Sequence, residues 1–271
     1  MKNLFLAISV LALLSVSAIA QSHPAKTAVE GFGQNGITHQ NGAHSNGVPS
    51  ACSPCVWYSG DLDANNPNAD GLFNANATYY GILGQVYVPV VVGSDGNPGH
   101  GHVRITSVTF NEQFNDTSGC GGPCDYTGST YEMRVKVGPG EAGTIKESGT
   151  CPQSPTPVAT GNSFAGRNEY SFTCLSSTKP HSYFLEVAVD SLYWINVTPA
   201  FSSGSYAYLS DVEDVPSPNQ LGWSDDFYNS FFTSAYFGFN FSPTATTAPG
   251  SACGGVVCDM FSVAVAGIYV K

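Results

Sequence analysis

Basic residues are the scarcest chemistry in this chain. Lys and Arg number 9 against 20 Asp and Glu, giving a formal net charge of −11, and charged residues of all kinds make up only 11% of 271 positions. So acidic a surface argues against nucleic acid and against anionic lipid as partners. The surface must be neutral and polar, supplied by Gly, Ser, Thr, Asn and Tyr. After the first 20 residues no apolar run reaches the roughly 18 positions that a membrane span requires. No apolar stripe of helical period occurs either. Gly-x-Ser-x-Gly, His-Glu-x-x-His and phosphate-loop motifs are all missing, so no enzyme class announces itself.

What the chain does have begins with a secretion signal. Met1-Lys2-Asn3 is a short basic start, Leu4 to Val16 an apolar run, and Ala18-Ile19-Ala20 an Ala-x-Ala cleavage site before Gln21. All eight cysteines follow that site. Export places them in an oxidising compartment, where they are expected to pair. The expected product is secreted, either extracellular or at the cell surface. Three pairs are close in sequence: Cys52 with Cys55, Cys120 with Cys124, and Cys253 with Cys258. Cys151 and Cys174 remain, across a loop. Eight cysteines allow 105 connectivities, and local pairing is the simplest. Cys52-Ser53-Pro54-Cys55 has thioredoxin-like spacing, but it precedes a strand rather than opening a helix, which removes the usual cause of a reactive thiol. Zinc held by two short Cys pairs competes poorly with oxidation.

Three regions follow: residues 1–20 as signal peptide, 21–51 as a flexible linker rich in Gly, Asn and His, and 52–271 as one β-sandwich domain. The linker carries Asn35-Gly36, Asn41-Gly42 and Asn46-Gly47 turns, and loosely spaced His23, His39 and His44. Beyond Cys52 the pattern is that of strands. Tyr131, Met133, Val135 and Val137 alternate with Glu132, Arg134 and Lys136. Val103 and Ile105 alternate, then Val108 and Phe110 take the opposite phase, which predicts a β-bulge at Thr106-Ser107. Val86 to Val92 is a continuous apolar run interrupted by Pro89, which predicts an edge or bulged strand. Tyr170, Phe172 and Cys174 alternate, as do Tyr183, Leu185, Val187 and Val189, then Tyr193, Ile195 and Val197, then Phe237, Phe239 and Phe241. Phe261, Val263 and Val265 shift phase at Ala266-Gly267 into Ile268 and Val270. Many short strands with turn signals and no helices predict an all-β fold: a single jelly-roll-like antiparallel β-sandwich stapled by disulfides.

Candidate sites divide by chemistry. Asp61, Asp63, Asn65, Asn68 and Asp70 form an oxygen-rich loop that suits calcium, although Asn66 and Leu72 stand where an EF-hand requires Gly and Glu; an Asx-rich turn is the alternative. His100-Gly101-His102 would put two imidazoles on one side of an extended segment, without a third ligand at a diagnostic spacing. Nine aromatics fall within the 19 residues from Trp223 to Phe241. Among them Trp223, Tyr228 and Tyr236 are candidates for stacking sugar rings, with Tyr206 and Tyr208 a weaker pair; core packing is the competing reading. Glu186 and Asp190 share a strand face, but four residues of strand span about 13 Å, beyond the 5–9.5 Å or so of glycosidase carboxyl pairs. Asp211, Glu213 and Asp214 have no assignable role. Glycosylation sequons start at Asn76, Asn115, Asn196 and Asn240.

Two stretches carry a resemblance. Val56-Trp57-Tyr58-Ser59-Gly60-Asp61-Leu62-Asp63, running on to Asp70-Gly71-Leu72, resembles the opening Y-S-N-G-x-x-D-G segment of secreted bacterial β-sandwich proteins found among soil acidobacteria. Tyr193-Trp194-Ile195-Asn196-Val197 resembles their Y-W-V-N-L strand. Some of those proteins carry a C-terminal sorting anchor. This chain departs from them by its eight cysteines and by ending in a strand pattern instead of an anchor. The resemblance implies a jelly-roll-like fold and bacterial export; it transfers no activity and no catalytic residue.

Three functions remain open on these residues. The first is a non-catalytic binding or surface-associated module for an extracellular glycan or cell-surface component, with a structural calcium. The second is a secreted polysaccharide hydrolase using acidic residues. The third is a structural envelope or matrix protein.

Overall fold

A computed structural model describes residues 52–60, 62, 73–77, 81–136, 143–177, 182–210, 231–234, 239–243 and 261–271. Every regular element among them is a strand, and the strands form two seven-stranded sheets. In the first sheet β1 (Cys55–Tyr58), β14 (Val263–Val270), β4 (His102–Asn115), β8 (Arg167–Leu175) and β7 (Val158–Phe164) lie in that order, with β9 (Leu185–Ala188) and β11 (Tyr206–Leu209) also on β4. The second runs β13 (Phe239–Pro243), β12 (Phe231–Ser234), β3 (Ile82–Val91), β2 (Ala75–Ala77), β10 (Leu192–Phe201), β5 (Tyr126–Val135), β6 (Thr144–Thr150). Pairing is antiparallel except between β2 and β10, which run parallel. The fold is thus the expected jelly-roll-like β-sandwich. No helix among the described residues is long and apolar enough to cross a membrane.

The core lies between the sheets, where the alternating apolar residues meet. Trp57, Val108, Phe110, Val263 and Val265 from the first sheet pack with Val86, Val88, Ile195 and Val197 from the second. Each such side chain contributes about 1.5–3 kcal/mol by leaving water. A smaller cluster gathers Phe114, Phe172 and Phe201 around Ala75 and Ala207. The Cys151–Cys174 disulfide joins the segment after β6 to β8, so it links one sheet to the other within the core.

The bulge expected in β4 is present. Ala266 pairs with Ser107 and Gly267 with Ile105, which leaves Thr106 without a partner on β14. The extra residue resets the phase, so Val103, Ile105, Val108 and Phe110 all reach the core. The phase shift expected in β14 is not found. Val263, Val265 and Tyr269 all contact the core, while Ile268 is 49% exposed. Gly267 holds the inward position between them. A Cβ there would lie 2.5 Å from Val103 Cγ1 and 3.0 Å from the Arg104 carbonyl oxygen, so only glycine fits.

Pro89 also departs from expectation. β3 is an interior strand, flanked by β12 and β10, with no irregularity in its pairing to β10. Among the described residues β12 pairs β3 from Gly84 to Tyr87, and Pro89 pairs Trp194 of β10.

Candidate functional site

Alternation along β4 sends Phe110, Glu112 and Phe114 inward and Thr109, Asn111, Gln113 and Asn115 outward. On neighbouring β8, Glu169, Ser171 and Thr173 share the outward side, opposite Gln113, Asn111 and Thr109. These groups form a hydrogen-bonded ladder across the outer face of the first sheet. The Thr109 and Thr173 hydroxyls meet at 2.9 Å. Ser171 donates to Asn111 Oδ1 at 2.6 Å, Asn111 Nδ2 to Ser262 Oγ at 2.8 Å, and Ser262 to the Gly60 carbonyl at 2.6 Å. Thr109, Asn111, Gln113, Glu169, Thr173 and Ser262 are all buried.

One end of this ladder is aromatic. Tyr208 of β11 stands opposite Gln113, Tyr206 opposite Asn115, and Phe73 bridges to Tyr208 from the far side. The three rings lie within 5.5–6.0 Å of one another, in tilted and edge-on arrangements. The Arg167 guanidinium sits 4.8 Å above the Tyr208 ring, within cation–π range. All four side chains are half-buried, so each retains a solvent-facing part. β4 brings this set together: it pairs β11 along one edge and β8 along the other, placing Tyr208 and Arg167, distant in sequence, side by side.

Glu112 occupies the opposite side of β4, between Phe110 of the larger core cluster and Phe114 of the smaller. Its Oε1 accepts 2.7 Å from Asn74 Nδ2, and its Oε2 is buried without a hydrogen-bond partner. Complete burial pushes this carboxyl well above the ordinary range, against a smaller lowering by Asn74, so burial favours its protonated form. Asn74 also mends a fork in the second sheet, where β2 separates β3 from β10. It accepts from Val86 N–H at 3.0 Å and donates to the Val197 carbonyl at 2.8 Å. Asn196 donates to the Val86 carbonyl at 2.7 Å and to Asn74 Oδ1 at 2.9 Å. These amides replace ladder bonds that the fork removes.

The outer face of the second sheet carries a further cluster. Tyr87 donates to Glu132 Oε1 at 2.8 Å, Arg134 pairs with the same oxygen, and its guanidinium lies 5.0 Å over the Tyr87 ring. Burial and the adjacent carboxylate push the Tyr87 phenol upward. Trp194 packs beside Tyr87.

Most of the described carboxyls already have structural partners. Glu186 pairs with Arg104, and Asp95 with His100. Asp116 accepts from the N–H groups of Ser118, Gly119 and Gly121, and Asp125 from those of Ser203 and Ser205. Glu112 and Glu169 point to opposite faces of their sheet and form no pair. Asp190 follows β9 in a turn with φ 55°, off the strand face it was expected to share with Glu186.

The sequence-based candidates fare unevenly. Trp223, Tyr228 and Tyr236, the calcium loop of Asp61, Asp63, Asn65, Asn68 and Asp70, and Cys253 and Cys258 lie outside the described residues. Cys52–Cys55, Cys120–Cys124 and Cys151–Cys174 are bonded as expected. The His100 ring binds Asp95 through Nδ1 at 2.7 Å and meets Asn97 through Nε2 at 3.3 Å, so local contacts occupy both nitrogens. No group of three or more His, Cys, Asp or Glu suited to a metal ion occurs among the described residues. The Asn196 sequon is inaccessible, since Asn196 and Thr198 are both fully buried. Arg167 and Phe73 gave no sequence signal, because only strand pairing places them against Tyr208. No family model matches the chain, and comparisons with curated proteins and with solved structures found none similar to it.

Proposed function

We propose that this protein is a secreted, non-catalytic β-sandwich that binds an extracellular glycan. The observation that carries the reading is the half-buried set of Tyr206, Tyr208, Phe73 and Arg167 at the end of a hydroxyl and amide ladder. Sugar rings offer apolar C–H faces to aromatic rings and hydroxyls to planar polar groups, and this set supplies both. The scarcity of charge favours a neutral ligand, and the disulfides suit an oxidising compartment. The engagement of Glu112, Glu132, Glu186, Asp95, Asp116 and Asp125 in structural roles favours binding over hydrolysis.

Affinity electrophoresis against a panel of neutral and acidic polysaccharides tests this. The expected result is retardation by at least one neutral polysaccharide, weakened roughly tenfold in Tyr208→Ala, equivalent to about 1.4 kcal/mol. Trp223→Ala, Tyr228→Ala and Tyr236→Ala run beside it show whether the aromatic-rich segment shares the ligand. Mobility unaffected by every polysaccharide, or release of reducing ends from one of them, overturns the reading.

A further inference from the structure

Glu169 is 1% exposed, yet only half of its carboxyl is satisfied. Oε2 accepts from the Thr160 hydroxyl at 2.6 Å and from Asn162 Nδ2 at 2.9 Å. Oε1 is buried and has no hydrogen-bond partner. Arg167, two positions along the same strand, lies over the Tyr208 ring. A buried carboxylate left half-satisfied is costly, and a bound counter-ion is one way to meet the cost.

The surroundings fit a hard cation. Gln113 stands directly opposite Glu169 in the β4–β8 register, fully buried on the same face, and brings an amide oxygen. Thr160 brings a hydroxyl oxygen. The third wall is an irregularity in the edge strand β7. Ala159 pairs with Tyr170 and Ser163 with Asn168, so Thr160, Gly161 and Asn162 together oppose the single residue Glu169. Gly161 has φ +92°, which an L side chain rarely adopts. These three residues are exposed at the sheet edge, and Thr160 and Asn162 hold the other oxygen of the same carboxylate.

We propose that Glu169 Oε1, the Gln113 amide oxygen and the Thr160 hydroxyl form a calcium site that pins the β7 bulge onto the sheet, with water completing the shell. One carboxylate among neutral oxygens selects a hard ion over zinc or copper, which prefer imidazole and thiolate. So few charged ligands give weak binding, in the 0.1–1 mM range or thereabouts, typical of extracellular modules. The proposed ligands are other residues than those expected to hold calcium between Asp61 and Asp70, and Gln113 stands beside Tyr208 of the proposed glycan-binding set.

The test uses the full mature chain, titrated with Ca²⁺ and, separately, with Tb³⁺ read through tyrosine-sensitised luminescence. Tyr208, in the same cross-strand row, is placed to sensitise it. Glu169→Gln keeps the side-chain shape and removes the charge. The expected result is a saturable rise in melting temperature near millimolar Ca²⁺, with the matching luminescence step lost in Glu169→Gln. Both should persist in an Asp61→Asn/Asp63→Asn variant. Thr160→Val, at an exposed position, should weaken the step several-fold and serves if Glu169→Gln fails to fold. Equal Ca²⁺ and Tb³⁺ responses in the parent chain and the Thr160 and Glu169 variants overturn the proposal, as does a parent chain that responds to neither ion.

Discussion

Asn74 Nδ2 donates to Glu112 Oε1 at 2.7 Å, so an amide beside β2 of one sheet holds a carboxyl of the other across the sandwich. The contact is fully buried on both sides. Its consequence is a pH dependence whose sign follows from burial. The Glu112 carboxyl is held well above its ordinary range, so the folded chain retains a proton that the unfolded chain loses above about pH 4. The contribution is fully present below the unfolded value and is lost as pH climbs through the folded one. Glu112→Gln, which mimics the protonated acid, should melt higher than the parent at pH 8 and show a flatter decline above pH 5. Identical pH profiles measured by calorimetry would refute this.

Removing the other partner should be costlier. Asn74→Ala leaves Glu112, the Val86 N–H and the Val197 carbonyl without the bonds Asn74 supplies. Each unmet buried group costs about 1–3 kcal/mol. Urea unfolding should therefore show a loss of several kcal/mol, or no folded protein at all. A loss under about 1 kcal/mol would mean that water enters the fork freely.

Gly267→Ala should destabilise through contact alone. The new methyl would meet Val103 Cγ1 at 2.5 Å and the Arg104 carbonyl at 3.0 Å, opposite the β4 bulge. Overpacking of this kind costs about 1–3 kcal/mol. Shortening the obstructing side chain in Gly267→Ala/Val103→Ala should cost less than the two single changes added together. Strict additivity would place the strain elsewhere.

The Cys151–Cys174 bridge spans 23 positions, against 3 and 4 for the other two described disulfides. Chain entropy assigns it about 3 kcal/mol, and less to the short loops. Cys151→Ala/Cys174→Ala should therefore lower the unfolding free energy more than Cys120→Ala/Cys124→Ala. The opposite order in urea melts would count against the inter-sheet link as the dominant staple.

In a host that attaches N-linked glycans, Asn196 should remain unmodified in folded, secreted protein, because its amide is committed to the Val86 carbonyl and to Asn74. Peptide mapping decides this. A glycan at Asn196 would require the fork to be open when the chain is modified.

Much of the fold was legible because a strand's side chains alternate with period two. That rule predicted the strands through Val103–Phe110, Tyr170–Cys174 and Tyr193–Val197, and the phase slip that proved to be the Thr106 bulge. Close sequence spacing paired Cys52 with Cys55 and Cys120 with Cys124. Alternation sets only which way a side chain points; what it meets depends on the register between distant strands. Continued through Val108 and Phe110, the β4 phase turns Glu112 inward, but nothing local supplies Asn74, 38 positions away. Gly267 looked like a break in phase because its missing side chain hid an inward position, whose reason is Val103 on the facing strand. Pro89 looked like an edge residue, but strand order is a property of the sheet, and β3 lies between β12 and β10. Tyr206 and Tyr208 were visible as aromatics in sequence, but Arg167 and Phe73 reach them only through β4 and β11. Local sterics and hydrophobic patterning therefore determined an all-β sandwich, while long-range strand pairing decided which polar groups were buried together and which aromatic and basic side chains meet.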